Sequence, residues 1–146
     1  MHPEANQMIA MLNKVGMNAL YHFTDIDNLP LIASLGGLKS KNFLENGGLL
    51  DEIKTGGNQL SKALDLRWGN WDKVSLSWCP KLPMTWYREQ EQHLVYIVTP
   101  LDLALRTGVV FSDKNATDTL QNRAEGMNGL QNVNFKAVKH PIATHI

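Results

Sequence analysis

A single cysteine, Cys79, occurs in the 146 residues, so no internal disulfide can form and the chain suits a reducing compartment. Cys79 closes the run Val74-Ser75-Leu76-Ser77-Trp78-Cys79, where a small buried thiol is the ordinary occupant. Net charge is also missing: 14 basic side chains are matched by 14 acidic ones, so no global field draws the chain to nucleic acid or to an anionic membrane, and any phosphate binding has to come from a local patch. No apolar stretch approaches the ~20 residues that span a bilayer. The start, with Pro3 and Glu4, lacks a charged leader followed by an apolar core, so a soluble cytoplasmic protein is expected. No glycine fingerprint of the dinucleotide or P-loop kind follows a predicted strand. The five histidines, His2, His22, His93, His140 and His145, show no close pair at ligand spacing, which argues against a metal site. No serine or cysteine nucleophile stands beside an obvious histidine base.

What is present is an ordinary globular balance, 43% hydrophobic and 19% charged, which predicts a packed core and excludes a wholly disordered chain. The length suits one compact domain. Met8, Met11, Leu12 and Val15 fall at helical spacing, so residues 1–16 read as an N-terminal helix or extension, with Met17 an equally good natural start. A short extended segment, Ala19 to His22, leads to Thr24 or Asp25 as a helix N-cap, and Ile26, Leu29, Ile32 and Ala33 then share one helical face. Gly36-Gly37 stops that helix.

From Asn42 to Leu66 the Gly- and Asn-rich chain reads as a long loop of the kind that covers a substrate. Val74 to Trp78 alternates apolar and serine residues and predicts a strand ending at Pro80. Met84 to Gln92 reads as helical, and Leu94 to Val98 as a buried central strand ended by Pro100. A helical turn over Leu101–Leu105, a strand over Val109–Phe111, a turn at Asp113 and Asn115, a helix over Ala116–Asn122 and a short apolar element over Val133–Val138 complete the reading. Short strands and helices without regular alternation predict an α+β fold.

His22 and Thr24, two residues apart in extended chain, lean to one face and suit hydrogen bonding to a ribose or an amide. The same pair also fits a strand-end histidine followed by a capping threonine. Arg67-Trp68-Gly69-Asn70-Trp71 combines a guanidinium with two indoles that could clamp phosphate and stack on a flat ring; a solvated arginine beside core tryptophans is the plainer alternative. Trp78 and Trp86 add surface for base stacking or for the core. Glu89 and Glu91 read as a solvated helix end, and Glu125 as part of a polar loop.

Taken in order, three blocks resemble the DarT family of DNA ADP-ribosyltransferase toxins. They are Leu20-Tyr21-His22-Phe23-Thr24-Asp25-Ile26-Asp27-Asn28-Leu29-Pro30 with Ile32, Gly36-Gly37-Leu38 and Ser40; Lys73 to Pro80 with Pro83-Met84; and Val109 to Ala116. They run in family order across about residues 19 to 138. The resemblance implies an ADP-ribosyltransferase-like split mixed or antiparallel sheet over residues 17–146, with NAD as co-substrate and no metal. Single-stranded DNA would be the target, and an antitoxin protein a partner.

It further implies that His22, Thr24, Asn28, Gly37, Leu38 and Met84 contact NAD, that Arg67 pairs with its phosphate or orients the reaction, and that Trp78 and Asn115 face nucleic acid. The family's catalytic glutamate sits in a final strand, in a Lys- or Arg-led Ala-Glu motif followed by apolar residues. No such element is read before Ile146, so the expectation is a chain ending early, a lost strand, or substitution by Glu125. Without that carboxylate the chain would bind NAD and scarcely turn it over.

Overall fold

Helix formation at the start follows the apolar spacing: α1 runs Ala5–Lys14 and buries Met8 and Leu12. In the computed structural model, which describes residues 1–55, 59–80, 93–115 and 118–139, the chain continues through β1 (Ala19–Asp25), a 3-10 turn (Ile26–Asn28), α2 (Leu29–Ser34), α3 (Lys41–Asn46), a 3-10 turn (Leu50–Glu52) and α4 (Gln59–Arg67). There follow β2 (Leu94–Pro100), a 3-10 turn (Leu101–Leu105), β3 (Val110–Ser112), β4 (Arg123–Glu125), α5 (Gly126–Leu130) and α6 (Phe135–Lys139). The fold is α+β, with short helices around small antiparallel sheets.

Two compact units can be distinguished. The first holds the described residues of Met1–Tyr21, Ser77–Pro80 and Val98–Ile146; the second holds those of His22–Leu76 and Lys81–Ile97. In the first, Met8, Leu12, Leu20, Ala104, Leu105, Phe111, Leu130, Val133 and Phe135 are buried core residues. The Trp78 ring stacks on Phe111 at 5.9 Å and meets Phe135 edge-on at 5.2 Å. β3 and β4 pair antiparallel, with Phe111 opposite Ala124. α5 lies so close to β4 that a Cβ on Gly129 would stand 2.0 Å from the Ala124 carbonyl oxygen, which admits only glycine there. Glu4 joins α1 to this layer by accepting the Met127 amide at 2.9 Å, a carboxylate at the start of α5.

In the second unit the helices are joined through Trp71. Its indole Nε1 donates to Glu45 Oε2 at 2.8 Å, and the ammonium groups of Lys41 and Lys62 lie 5.2 and 5.0 Å from its ring. Lys41 also pairs with Asp65 and Lys62 with Glu45, so α3 and α4 are laced by charge as well as by the ring. The indole bond first, and then Lys62, hold the Glu45 carboxyl below its ordinary range. α2 ends as the glycines require: Gly37 N–H donates to Ile32 O and Gly36 N–H to Ala33 O, with Gly36 at φ 71°.

Several expectations are corrected. The segment from Asn42 to Leu66 is not one loop, because Ser40 Oγ caps α3 by accepting the Phe43 amide and Leu44 is buried, while α4 forms over Gln59–Arg67. Val74 to Trp78 forms no strand. Among the described residues it makes one bridge, Tyr21 with Ser77, and the Ser77 hydroxyl turns to the Tyr21 and Cys79 carbonyls. β2 is not a buried central strand: among the described residues it pairs with β1 alone, and Val98 is 63% exposed. Residues 118–122 are a turn rather than helix, closed by Asn122 bonding the Asp113 carboxylate at 2.7 and 2.8 Å. On α2, Leu29 and Ile32 are half-buried and Ala33 is exposed, so no residue of that helix is fully buried. The helix read over Met84 to Gln92 lies outside the described residues.

Candidate functional site

β1 delivers His22 and Thr24 to one face, two residues apart in a strand. β2 runs against it in the opposite sense: Ile26 N–H donates to His93 O, and the Thr99 hydroxyl donates to Leu20 O. Where β1 ends, Asp25 caps the 3-10 turn by accepting the Asp27 amide at 2.9 Å. Thr24, Asp25 and Asn28 are the buried polar side chains of this corner, at 9%, 3% and 2% exposure.

His22 Nδ1 lies 2.9 Å from the Ser75 carbonyl oxygen. A carbonyl oxygen can only accept, so Nδ1 carries the hydrogen and the neutral ring leaves Nε2 as an acceptor. Burial pushes the His22 pKa down from its ordinary 6.5, and the Ser75 carbonyl opposes that in smaller measure. The ring stacks on Phe23 at 6.5 Å.

Asn28 Nδ2 donates to Thr24 Oγ1 at 3.1 Å and to Lys54 O at 3.0 Å, while Asn28 Oδ1 accepts the Lys54 amide at 3.0 Å. The Lys54 ammonium donates to Asp27 and stands 3.8 Å from Asp25. The bond from Lys54 and then its charge hold Asp27 below the ordinary carboxylate range, with a smaller contribution from His93. Reciprocally, the Asp27 bond lifts Lys54. The reading of the sequence missed Lys54: its partners lie 26 and 27 residues away, and no spacing rule connects them.

Gly37 and Leu38 follow α2 in this same unit, Gly37 at φ 138° with open space where a Cβ would stand. Arg67 is the exposed last residue of α4, its guanidinium 6.0 Å from the Trp68 ring. Trp78 and Asn115 belong to the first unit, Trp78 in the aromatic cluster and Asn115 exposed after β3. Met84 lies outside the described residues. Among the described residues, no group of three His, Cys, Asp or Glu could hold a metal ion, and no helix is long and apolar enough to cross a membrane.

Glu125 is not in a loop. β4 carries Arg123-Ala124-Glu125, a basic residue, alanine and glutamate in the order expected of the catalytic strand. The strand stops there, α5 begins at Gly126, and the apolar continuation is absent. The Glu125 carboxylate accepts the Gly108 amide at 3.2 Å.

The family model for DarT, the ssDNA thymidine ADP-ribosyltransferase, matches residues 21–144. The chain belongs to the DarT family. No curated protein and no solved structure gives a significant match. The DarT match opens at Tyr21, the residue before His22, and takes in the whole corner of His22, Thr24, Asn28 and Lys54 as well as β4. α1 lies ahead of the DarT match, although its Met8 and Leu12 are core residues.

Proposed function

We propose that this DarT domain binds NAD at the β1 corner, in the cleft of an ADP-ribosyltransferase-type split sheet, and transfers ADP-ribose to thymidine in single-stranded DNA. The observation that carries the reading is the neutral His22, with Nε2 left as an acceptor on the face it shares with Thr24. An acceptor beside a hydroxyl suits a ribose hydroxyl or a carboxamide and disfavours a phosphate oxygen at His22, since a phosphate also only accepts. Gly37, Leu38 and Met84 are proposed to line the nucleotide, Arg67 to pair with its phosphate, and Trp78 and Asn115 to face DNA.

In such a transfer the bond from the ribose anomeric carbon to nicotinamide breaks, and nicotinamide leaves with the electron pair. The base attacks that carbon and gives up a proton to a carboxylate. A base has to be unstacked to reach the anomeric carbon, which favours single strands. The protein would act as the toxin of a toxin–antitoxin pair in the cytoplasm, with the antitoxin as its protein partner.

The test is incubation with NAD and a thymidine-containing single-stranded oligonucleotide, read by mass. An ADP-ribose adduct is expected, absent from an oligonucleotide lacking thymidine and from His22→Ala. A second reading, NAD binding without transfer, is favoured by the end of β4 at Glu125. NAD titration with no adduct selects it, and neither binding nor adduct overturns both. If an adduct forms, Glu125→Gln decides whether Glu125 is the carboxylate.

A further inference from the structure

The side chain of Asn28 is used from within the fold. The Lys54 backbone presents both its N–H and its carbonyl to it, each at 3.0 Å. That pairing fixes the amide's orientation: Oδ1 has to face the N–H and Nδ2 the carbonyl, since the reverse would set donor against donor. The second Nδ2 hydrogen then points at Thr24 Oγ1, 3.1 Å away, and the hydroxyl has to accept it. A hydroxyl that accepts from a fixed donor turns its own hydrogen elsewhere. Among the described residues no other group bonds the Thr24 side chain. Asn28 is 2% exposed and Thr24 9%, so of the two residues Thr24 is the more open to anything lying along β1.

We propose that Asn28 is a positioning residue that does not touch the nucleotide. It makes the Thr24 hydroxyl a donor to an acceptor oxygen of NAD, and it ties Lys54 and its neighbours to the end of β1. The donor role rests on the NAD-binding reading; the tie to Lys54 does not.

NAD is titrated against the wild type, Thr24→Val, Asn28→Asp and the double variant. The carboxylate in N28D still accepts the Lys54 amide but cannot donate to Thr24, so the hydroxyl turns inward to donate to it. Each single change is expected to weaken NAD binding by roughly threefold to tenfold, the size of one hydrogen bond. The double variant should bind no more weakly than the weaker single. Losses that multiply overturn the proposal, because they would mean that Asn28 meets NAD directly.

Hydrogen exchange at the Lys54 amide reads the tie without NAD. It should be protected in the wild type and should exchange at least about tenfold faster in Asn28→Ala. An unprotected Lys54 amide in the wild type, which needs no variant to fold, overturns the proposal. A wild type that ignores NAD while its Lys54 amide is protected sinks the NAD reading and the donor role with it, and leaves the tie standing.

Discussion

His22 is a pH-sensitive residue whose two partners act on it in opposite directions. Burial lowers its pKa and the Ser75 carbonyl partly restores it. Between the lowered folded value and the ordinary 6.5 the unfolded chain holds more protons than the folded one. Stability therefore declines as pH falls from about 6.5 toward the folded value. Urea midpoints at pH 7.5 and 5.5 should fall less in His22→Gln than in the wild type; equal drops would contradict this.

Trp71 gives a second residue-scale prediction. Trp71→Phe removes the donor to Glu45 and weakens the attraction of two lysines for the ring, at about 1–2 kcal/mol of stability. The Glu45 carboxyl should rise toward its ordinary range, since the indole bond is the first cause of its depression. Urea unfolding and a carboxyl titration by NMR check the two parts. At this scale the sequence singled out His22 and Thr24 as chemistry on one face, and Arg67 to Trp71 as a notable string. It could not reveal Ser75 as the partner of His22, 53 residues away, nor that Trp71 would be sheathed by lysines.

At the scale of elements, local signals read well and long-range ones poorly. α1, the glycine stop of α2, the turn at Leu101–Leu105 and the strands near Leu94 and Val109 follow from periodicity and breakers that act within a few residues. The alternation of Val74 to Trp78 misled because period two becomes a strand only when a neighbour offers a ladder, and among the described residues only Tyr21 does so. The α3–α4 region was hidden by its glycines, which end helices as readily as they make loops. The packing of α5 on β4 was equally illegible, since nothing in Gly126-Met127-Asn128-Gly129 announces an approach that leaves no room for a Cβ. Gly129→Ala would force backbone to move, because the Ala124 carbonyl would stand 2.0 Å from the new Cβ. A loss of about 2–4 kcal/mol is expected by thermal or urea unfolding. A change under about 0.5 kcal/mol would show that α5 and β4 part freely.

For the molecule as a whole, the family was legible because its motifs recur in order along the chain, whereas the grouping of residues into two units depends on contacts far apart in sequence. The family match starts at Tyr21, and from sequence α1 reads as an extension that a start at Met17 would omit. Its burial argues otherwise. Met8 and Leu12 are 1% and 0% exposed, Glu4 caps α5, and the His2 amide bonds Leu105 O at 2.7 Å. Removing residues 1–16 forfeits roughly 3–6 kcal/mol from the two buried side chains alone, against the ~5–15 kcal/mol by which a domain is stable. The shortened chain should therefore lose the cooperative unfolding of the first unit and show a lower urea m-value by circular dichroism. The Trp78 cluster, which shares the core with Phe111 and Phe135, should report the loss as a red-shifted emission. A truncated chain that melts as the full one does would return α1 to the status of an appendage.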